Sequence, residues 1–185
     1  MIQRLLLAGI LIILTACDQD YIPKPYGQVR LSYPTAEYRD FVTNCPFTFQ
    51  YSQQAVKQPK DSSCNYNLYY PDMRATIYLS YEPVDQDLTK LLMDAERAVY
   101  EPHTSRAEYI EPKLIVRPNA RVYGTLYSLG GNSAMNFQFH LTDSTKHFVR
   151  GSVYFKAHPK PDSLAPAVQY IQQDVEKLME TIRWQ

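Results

Sequence analysis

The sequence lacks an excess of charge, since its 19 Lys and Arg residues balance 19 Asp and Glu residues. A neutral chain lacks the surplus of basic residues that is typical of nucleic-acid-binding proteins and that would attract a protein to an anionic membrane. Glycine is scarce, and the 6 glycines form neither a GxGxxG fingerprint nor a P-loop. We therefore expect no nucleic-acid partner and no cofactor.

Motifs of the common hydrolases are absent too, since the sequence has no GxSxG elbow and no HExxH pair. The 4 histidines, His103, His140, His147 and His158, are scattered along the chain. Because strand residues alternate between faces, His140 and His147 are predicted to point to opposite sides of one hairpin. We interpret both as surface or sheet-edge residues, and the sequence predicts neither a metal site nor an enzyme.

The N-terminus carries an apolar run at residues 5–14, just after the positive side chain of Arg4. About 10 residues are too few to span a bilayer as a helix, but they suit the centre of a secretory signal peptide. Residues 14–17 follow with the sequence Leu-Thr-Ala-Cys, which resembles the lipobox of bacterial lipoproteins. We predict a signal peptide at 1–16 and lipidation of Cys17. The alternative is an ordinary signal peptide followed by a chance cysteine.

Lipidation would hold the rest of the chain at a membrane outside the cytoplasm, because several acyl chains anchor a protein firmly. Residues 17–27 contain Pro23 and Pro25, which favour an extended backbone, and we interpret them as a tether. Residues 28–185 contain no further run of membrane-spanning length. They are long enough for a single globular domain with its own core.

Two cysteines remain once Cys17 is set aside, namely Cys45 and Cys64. Two thiols in an oxidising compartment usually pair, so we predict a disulfide between them. A metal site is the alternative, but the sequence offers neither a CxxC pair nor a nearby histidine for it.

Apolar residues alternate with polar ones over much of the chain, as they do in half-buried strands. This pattern predicts strands at 28–33, 45–51, 65–70, 73–81, 113–117, 121–129, 135–142 and 147–155. The polar stretch 53–63 is predicted to be a loop.

Helical spacing of apolar residues replaces this alternation in two places, around Leu88–Val99 and around Leu164–Ile182. Asp85 or Asp87 is predicted to cap the first helix, Pro102 to end it, and Asp162 or Ser163 to cap the second. The predicted fold class is α+β, with a mostly antiparallel sheet and two helices packed on it.

Tyrosine is abundant, with 16 residues, and several cluster on the two neighbouring strands at 65–70 and 73–81. Tyr69 and Tyr78 have the parity opposite to the core-facing residues of their strands. Two interpretations stay open. The outward tyrosines form a binding face, since Tyr is enriched in binding surfaces, or they lie beneath a covering helix or loop.

Several blocks of the mature chain resemble the gliding-motility lipoproteins of the GldD family of the Bacteroidetes. These blocks are residues 43–49, 68–71, 73–81, 141–151 and 162–184. The resemblance implies a lipoprotein that serves gliding and the associated type 9 secretion system. We expect it at the outer membrane, facing the periplasm, with other proteins of that machinery as partners. It supplies no catalytic residue to carry over. The strand order with a final helix is also similar to PsbP-like α/β/α sandwiches, which is an analogy of fold only.

The resemblance favours a non-catalytic accessory or assembly subunit of that machinery. Two other hypotheses stay open. One is a lipid-anchored binding module for a glycan or small ligand that uses the Tyr-rich face, and the other is an envelope enzyme whose site is assembled from distant residues.

Overall fold

The computed structural model describes residues 32–60, 63–105, 107–131, 135–156 and 161–185. The predicted signal peptide, the lipidation site Cys17 and the tether therefore lie outside the described residues. So does most of the strand predicted at 28–33, whose last two residues, Ser32 and Tyr33, have irregular backbone.

The described residues form eleven strands, two α-helices and one 3₁₀ turn at Pro118–Ala120. The helices are α1 (Leu88–His103) and α2 (Pro161–Thr181). The strands are β1 (Tyr38–Asp40), β2 (Phe47–Thr48), β3 (Gln50–Ser52), β4 (Val56–Pro59), β5 (Tyr66–Tyr70), β6 (Ala75–Pro83), β7 (Ile110–Arg117), β8 (Val122–Leu129), β9 (Met135–Thr142), β10 (His147–Phe155) and β11 (Arg183–Trp184).

A seven-stranded sheet with the order β4-β5-β6-β10-β9-β8-β7 forms the centre of the molecule. All its strand pairs are antiparallel, so the predicted fold class is confirmed. The hairpin of β9 and β10 pairs Leu141 with Val149 and Phe137 with Val153, and all four side chains are buried. The predicted alternation thus fixes which side of the hairpin enters the core.

The main core lies on one face of this sheet, under α2. Ile171, Val175 and Leu178 of α2 belong to the same buried cluster as Phe139 and Val149 of the sheet. Burying side chains of this size contributes about 1.5–3 kcal/mol each. Phe41, which follows β1, and Phe49, which lies between β2 and β3, stack with their ring centroids 4.3 Å apart and belong to the same buried layer.

Helix α1 packs on the opposite face of the sheet. Its buried residues Leu91 and Ala95 contact Phe148 of β10, and Val99 contacts Tyr127 of β8. Since Phe148 and Val149 are neighbours in a strand, they point to opposite faces. The described residues therefore form three layers, with a helix on each side of the sheet.

Three local predictions were wrong. The stretch predicted as a loop at 53–63 contains β4, an edge strand that pairs with β5 although its sequence is Val-Lys-Gln-Pro. An edge strand has one open side, so it tolerates polar residues and a proline that hide it from a hydrophobicity pattern. Pro102 lies inside the last turn of α1 rather than after it, and α2 begins at Pro161, before its predicted caps.

Candidate functional site

The sheet face beneath α1 is only half covered. Helix α1 contacts β8 and β10 through its apolar stripe, while the part of the face formed by β4, β5 and β6 stays open. Exposed apolar side chains mark the open part, since Val56 and Tyr78 are 47% and 41% exposed. Tyr154, at the end of β10 that pairs with the start of β6, is also 41% exposed. The alternation that buries one face thus leaves a part of the other face available to solvent.

A cleft of about 270 Å³ lies along the side of α1, at the border between the covered and the open half of the sheet face. Its wall on the helix side is made by Ala95, Ala98 and Val99, whose small side chains leave space above the sheet. The floor consists of neighbouring positions in the sheet, because Tyr78 pairs with Ser152 and Ser152 pairs with Gln138. The polar residues that line it are Lys60, Asn65, Asn67, Tyr78, Ser80, Tyr127, Gln138, Arg150 and Ser152.

Gln138 is held on this floor by α1. Its Nε2 donates a 3.3 Å hydrogen bond to the backbone carbonyl of Ala98. In an α-helix that carbonyl would accept the N–H of residue 102, but residue 102 is a proline and has none. The proline inside α1 thus leaves an acceptor that positions a buried amide in the cleft.

Two cations line the cleft, and none of its fifteen lining residues is acidic. Arg150 donates from Nη2 to Glu82, an ion pair at the rim in which both side chains are about one-third exposed. Its Nε is buried and has no acceptor among the described residues. Lys60 is exposed.

The two tyrosines predicted to face outward lie on this same surface. Tyr78 borders the cleft, and Tyr69 lies one step along the sheet, since Tyr69 pairs with Thr76 and Asn67 pairs with Tyr78. Tyr154 pairs with Thr76 on the other side and extends the row. Helix α1 does not cover these tyrosines, since Tyr78 is exposed and Tyr69 is half-buried. The binding face stays a prediction.

The histidines of the β9–β10 hairpin point to opposite faces, as their parity predicts. His147 hydrogen-bonds to the Tyr81 hydroxyl at 3.0 Å and stacks on Trp184. The surface interpretation was wrong for His140, which is 5% exposed because α1 lies over its part of the sheet. Its ring stacks on Phe148, and burial lowers the pKa of His140 to about 4.

Cys45 and Cys64 are joined by a disulfide, with 5.6 Å between their Cα atoms. The bond connects the segment before β2 to the segment before β5. Within the described ranges, no group of three His, Cys, Asp or Glu side chains is placed to hold a metal ion.

The sequence model of the family described as gliding motility lipoprotein GldD matches residues 18–184. The chain belongs to this family. The match begins immediately after Cys17 and covers every described element, so the three-layer domain with its cleft is a GldD domain. Membership makes the chain a gliding-motility lipoprotein of the cell envelope. Comparison with curated proteins finds no match.

No helix in the described part of this GldD chain has the length and apolar character needed to cross a membrane. This finding concerns α1 and α2, which are both amphipathic and bury one side against the sheet.

Sequence reasoning missed the polar residues at the cleft. Gln138 and Arg150 occupy the polar positions of well-predicted strands, and such positions usually face solvent. The sequence did contain a sign of a polar site on this face, since β9 places Gln138 and His140 in succession on the side opposite its aromatic residues. What the pattern could not supply was the place where α1 lies.

Proposed function

We propose that the chain is a lipid-anchored, non-catalytic accessory or assembly subunit of the gliding-motility and type 9 protein secretion machinery. The observation that carries this proposal is the family match over residues 18–184. The anchor is Cys17, which would hold the domain at the outer membrane on its periplasmic side, with residues 17–27 as the tether to a single domain at 28–185. The partners are other proteins of the same machinery.

The composition of the cleft supports a role without catalysis. Among its fifteen lining residues there is no His, Cys, Asp or Glu. Ser80 and Ser152 therefore lack the neighbouring imidazole or carboxylate that activates a hydroxyl nucleophile in most such enzymes. Tyr70, Asp143 and His140, whose pKa values are strongly shifted, lie outside the lining, while burial raises the pKa of Tyr127 within it.

Export of a cargo protein with the type 9 C-terminal signal tests the proposal. The strains to compare carry the wild-type gene, a deletion, Cys17→Ala, and Arg183→Gln as a control at an exposed position. We expect cargo to accumulate in the periplasm of the deletion and Cys17→Ala strains only. Immunoblots must show that the Cys17→Ala protein reaches wild-type levels. Normal export in the deletion strain would refute the role in secretion.

A second candidate function is a lipid-anchored binding module for an envelope glycan or small ligand. The cleft beside the Tyr-rich surface favours it, because concave sites with a few convergent polar groups are the usual places for ligands. Normal export in the deletion strain, together with ligand binding by the purified wild-type protein, would favour this function over the first.

A further inference from the structure

The groups around the cleft are suited to a hydroxyl-rich ligand. Asn67 and Gln138 offer amide donors and acceptors, and Ser80 and Ser152 offer hydroxyls that can do both. Tyr78 adds a partly exposed aromatic ring at the edge. Sugars present the matching features, since they carry many hydroxyls and one apolar face that packs on aromatic rings.

The charge of the lining selects among such ligands. Lys60 and Arg150 contribute two positive charges, and Glu82 compensates one of them from the rim. The buried Nε–H of Arg150 has no acceptor among the described residues, and leaving such a donor unsatisfied is unfavourable. A ligand carboxylate would supply the missing acceptor and the missing negative charge together.

The size of the cleft limits the ligand to about one ring. Its volume of about 270 Å³ is below the roughly 300–1,000 Å³ of pockets that bury drug-sized molecules. The space exists because the helix side of the cleft carries the small side chains of Ala95, which is buried, and of Ala98, which is exposed at its edge. A larger side chain at position 98 would fill it.

We propose that the cleft between α1 and the open half of the sheet binds a single acidic sugar residue, with its carboxylate at Arg150 and Lys60. The ring lies against Tyr78, and Asn67 and Gln138 bind its hydroxyls. This inference rests on the second candidate function and names its ligand class.

Saturation-transfer NMR on the full-length lipoprotein in detergent micelles tests the inference, with D-glucuronate as probe. D-glucose is the neutral comparison, and N-acetylglutamate is an acid without sugar hydroxyls. We expect glucuronate to bind about 10-fold more tightly than glucose, the gain from one additional charge-assisted contact of about 1.4 kcal/mol. N-acetylglutamate keeps the carboxylate but lacks the ring and its hydroxyls, so we expect it to bind more weakly than glucuronate.

Three variants locate the site. Lys60→Gln changes an exposed side chain, Arg150→Gln removes the central cation, and Ala98→Leu fills the cleft while keeping a good helix former. We expect the first two to weaken glucuronate binding about 10-fold and the third to abolish it. Arg183→Gln, which removes an equal charge at an exposed position away from the cleft, leaves binding unchanged.

Equal binding of glucose and glucuronate, or unchanged binding by Ala98→Leu, would overturn the inference. Binding of N-acetylglutamate as tight as that of glucuronate would replace the sugar with an acidic peptide as the ligand class. Cargo export measures the machinery role independently, so a protein that fails to bind sugar but supports export refutes this inference alone.

Discussion

The Gln138 side chain donates its hydrogen bond to the carbonyl of Ala98, an acceptor that Pro102 leaves without its usual helical donor. A proline in the last turn of α1 and a side-chain amide in the middle of β9 are therefore structurally coupled. The bond fixes the helix end over the sheet and turns the amide toward the cleft.

This coupling predicts a double-mutant cycle. Gln138→Met, which keeps the side-chain volume, should lower the free energy of unfolding by about 1 kcal/mol because the Ala98 carbonyl loses its donor. In a Pro102→Ala background the N–H of residue 102 can replace that donor, so the loss should be smaller by at least 0.5 kcal/mol. Urea unfolding of the four proteins measures the difference. Strictly additive effects would show that the two residues are uncoupled.

Burial of His140 predicts acid sensitivity of the α1 face. The pKa of His140 is lowered to about 4 in the folded protein, against about 6.5 in an unfolded chain. The unfolded state therefore binds the proton first, and stability is lost as the pH falls from 6.5 to 4, by up to roughly 3 kcal/mol. His140→Gln should remove this component of the pH dependence.

Chemical unfolding of wild-type protein and His140→Gln at several pH values between 7 and 4 tests this expectation. His147→Gln is the control, because it changes the other histidine of the same hairpin on the opposite face. If the unfolding free energies of wild type and His140→Gln changed in parallel with pH, the predicted role of His140 would be contradicted.

Asp174 predicts a dependence of the opposite sign. It is 2% exposed in α2, and Tyr38 of β1 donates a 2.9 Å hydrogen bond to its Oδ1. Burial raises the pKa of Asp174, although the facing hydroxyls of Tyr38, Tyr70 and Ser52 act to lower it. The folded state thus favours the protonated acid, and the stability that this provides is lost as the pH rises through the folded pKa.

Asp174→Asn, which is neutral at every pH, should therefore gain stability relative to wild type as the pH rises from 3 to 7. Glu180→Gln on the exposed side of the same helix is the matched control and should not show this trend. A constant difference between wild type and Asp174→Asn across this range would mean that the carboxyl is not perturbed.

Asp143 stabilises the β9–β10 turn. Its Oδ1 accepts the backbone N–H groups of Thr145, Lys146 and His147 at 2.8–2.9 Å. Burial acts to raise the pKa of Asp143, but these hydrogen bonds outweigh it and hold the pKa well below its usual range. The stability that the Asp143 carboxylate contributes is therefore present above the pKa of this group in the unfolded chain, near 4, and is lost in stronger acid.

Asp143→Ala should lower the free energy of unfolding at pH 7 by about 2–3 kcal/mol, because three N–H groups lose a charged acceptor. Thermal unfolding measures the loss. Asp143→Asn keeps a neutral oxygen acceptor and should lose part of this free energy, whereas wild-type stability of Asp143→Asn would argue against the charge as the cause.

The Cys45–Cys64 disulfide closes a loop with a sequence separation of 19. In the chain-entropy model a loop of this length contributes roughly 3 kcal/mol. Replacing both cysteines by serine should lower the unfolding free energy by about that amount, while a reducing agent lowers that of the wild type and leaves the variant unchanged. Free thiols in the untreated protein, measured with Ellman's reagent, would refute the pairing.

Strong local patterns were sufficient to predict most of the fold. Strand β9 alternates Phe137, Phe139 and Leu141 with polar residues, and such a period of two allows only one burial pattern. The apolar stripe of α2 is equally unambiguous. Strand β4 was missed because its residues Val56–Pro59 form an edge strand through backbone pairing, which needs no apolar side chains.

The sequence by itself determined the α+β class, the two helices and the faces of the long strands, because those follow from the periodicity of neighbouring residues. Only the tertiary structure decided that α1 covers half of its sheet face, that His140 is buried while Tyr78 stays open, and that Lys60, Gln138 and Arg150 surround one cleft. These relations join residues far apart in the chain, and they depend on where a helix comes to lie. No local pattern encodes that position.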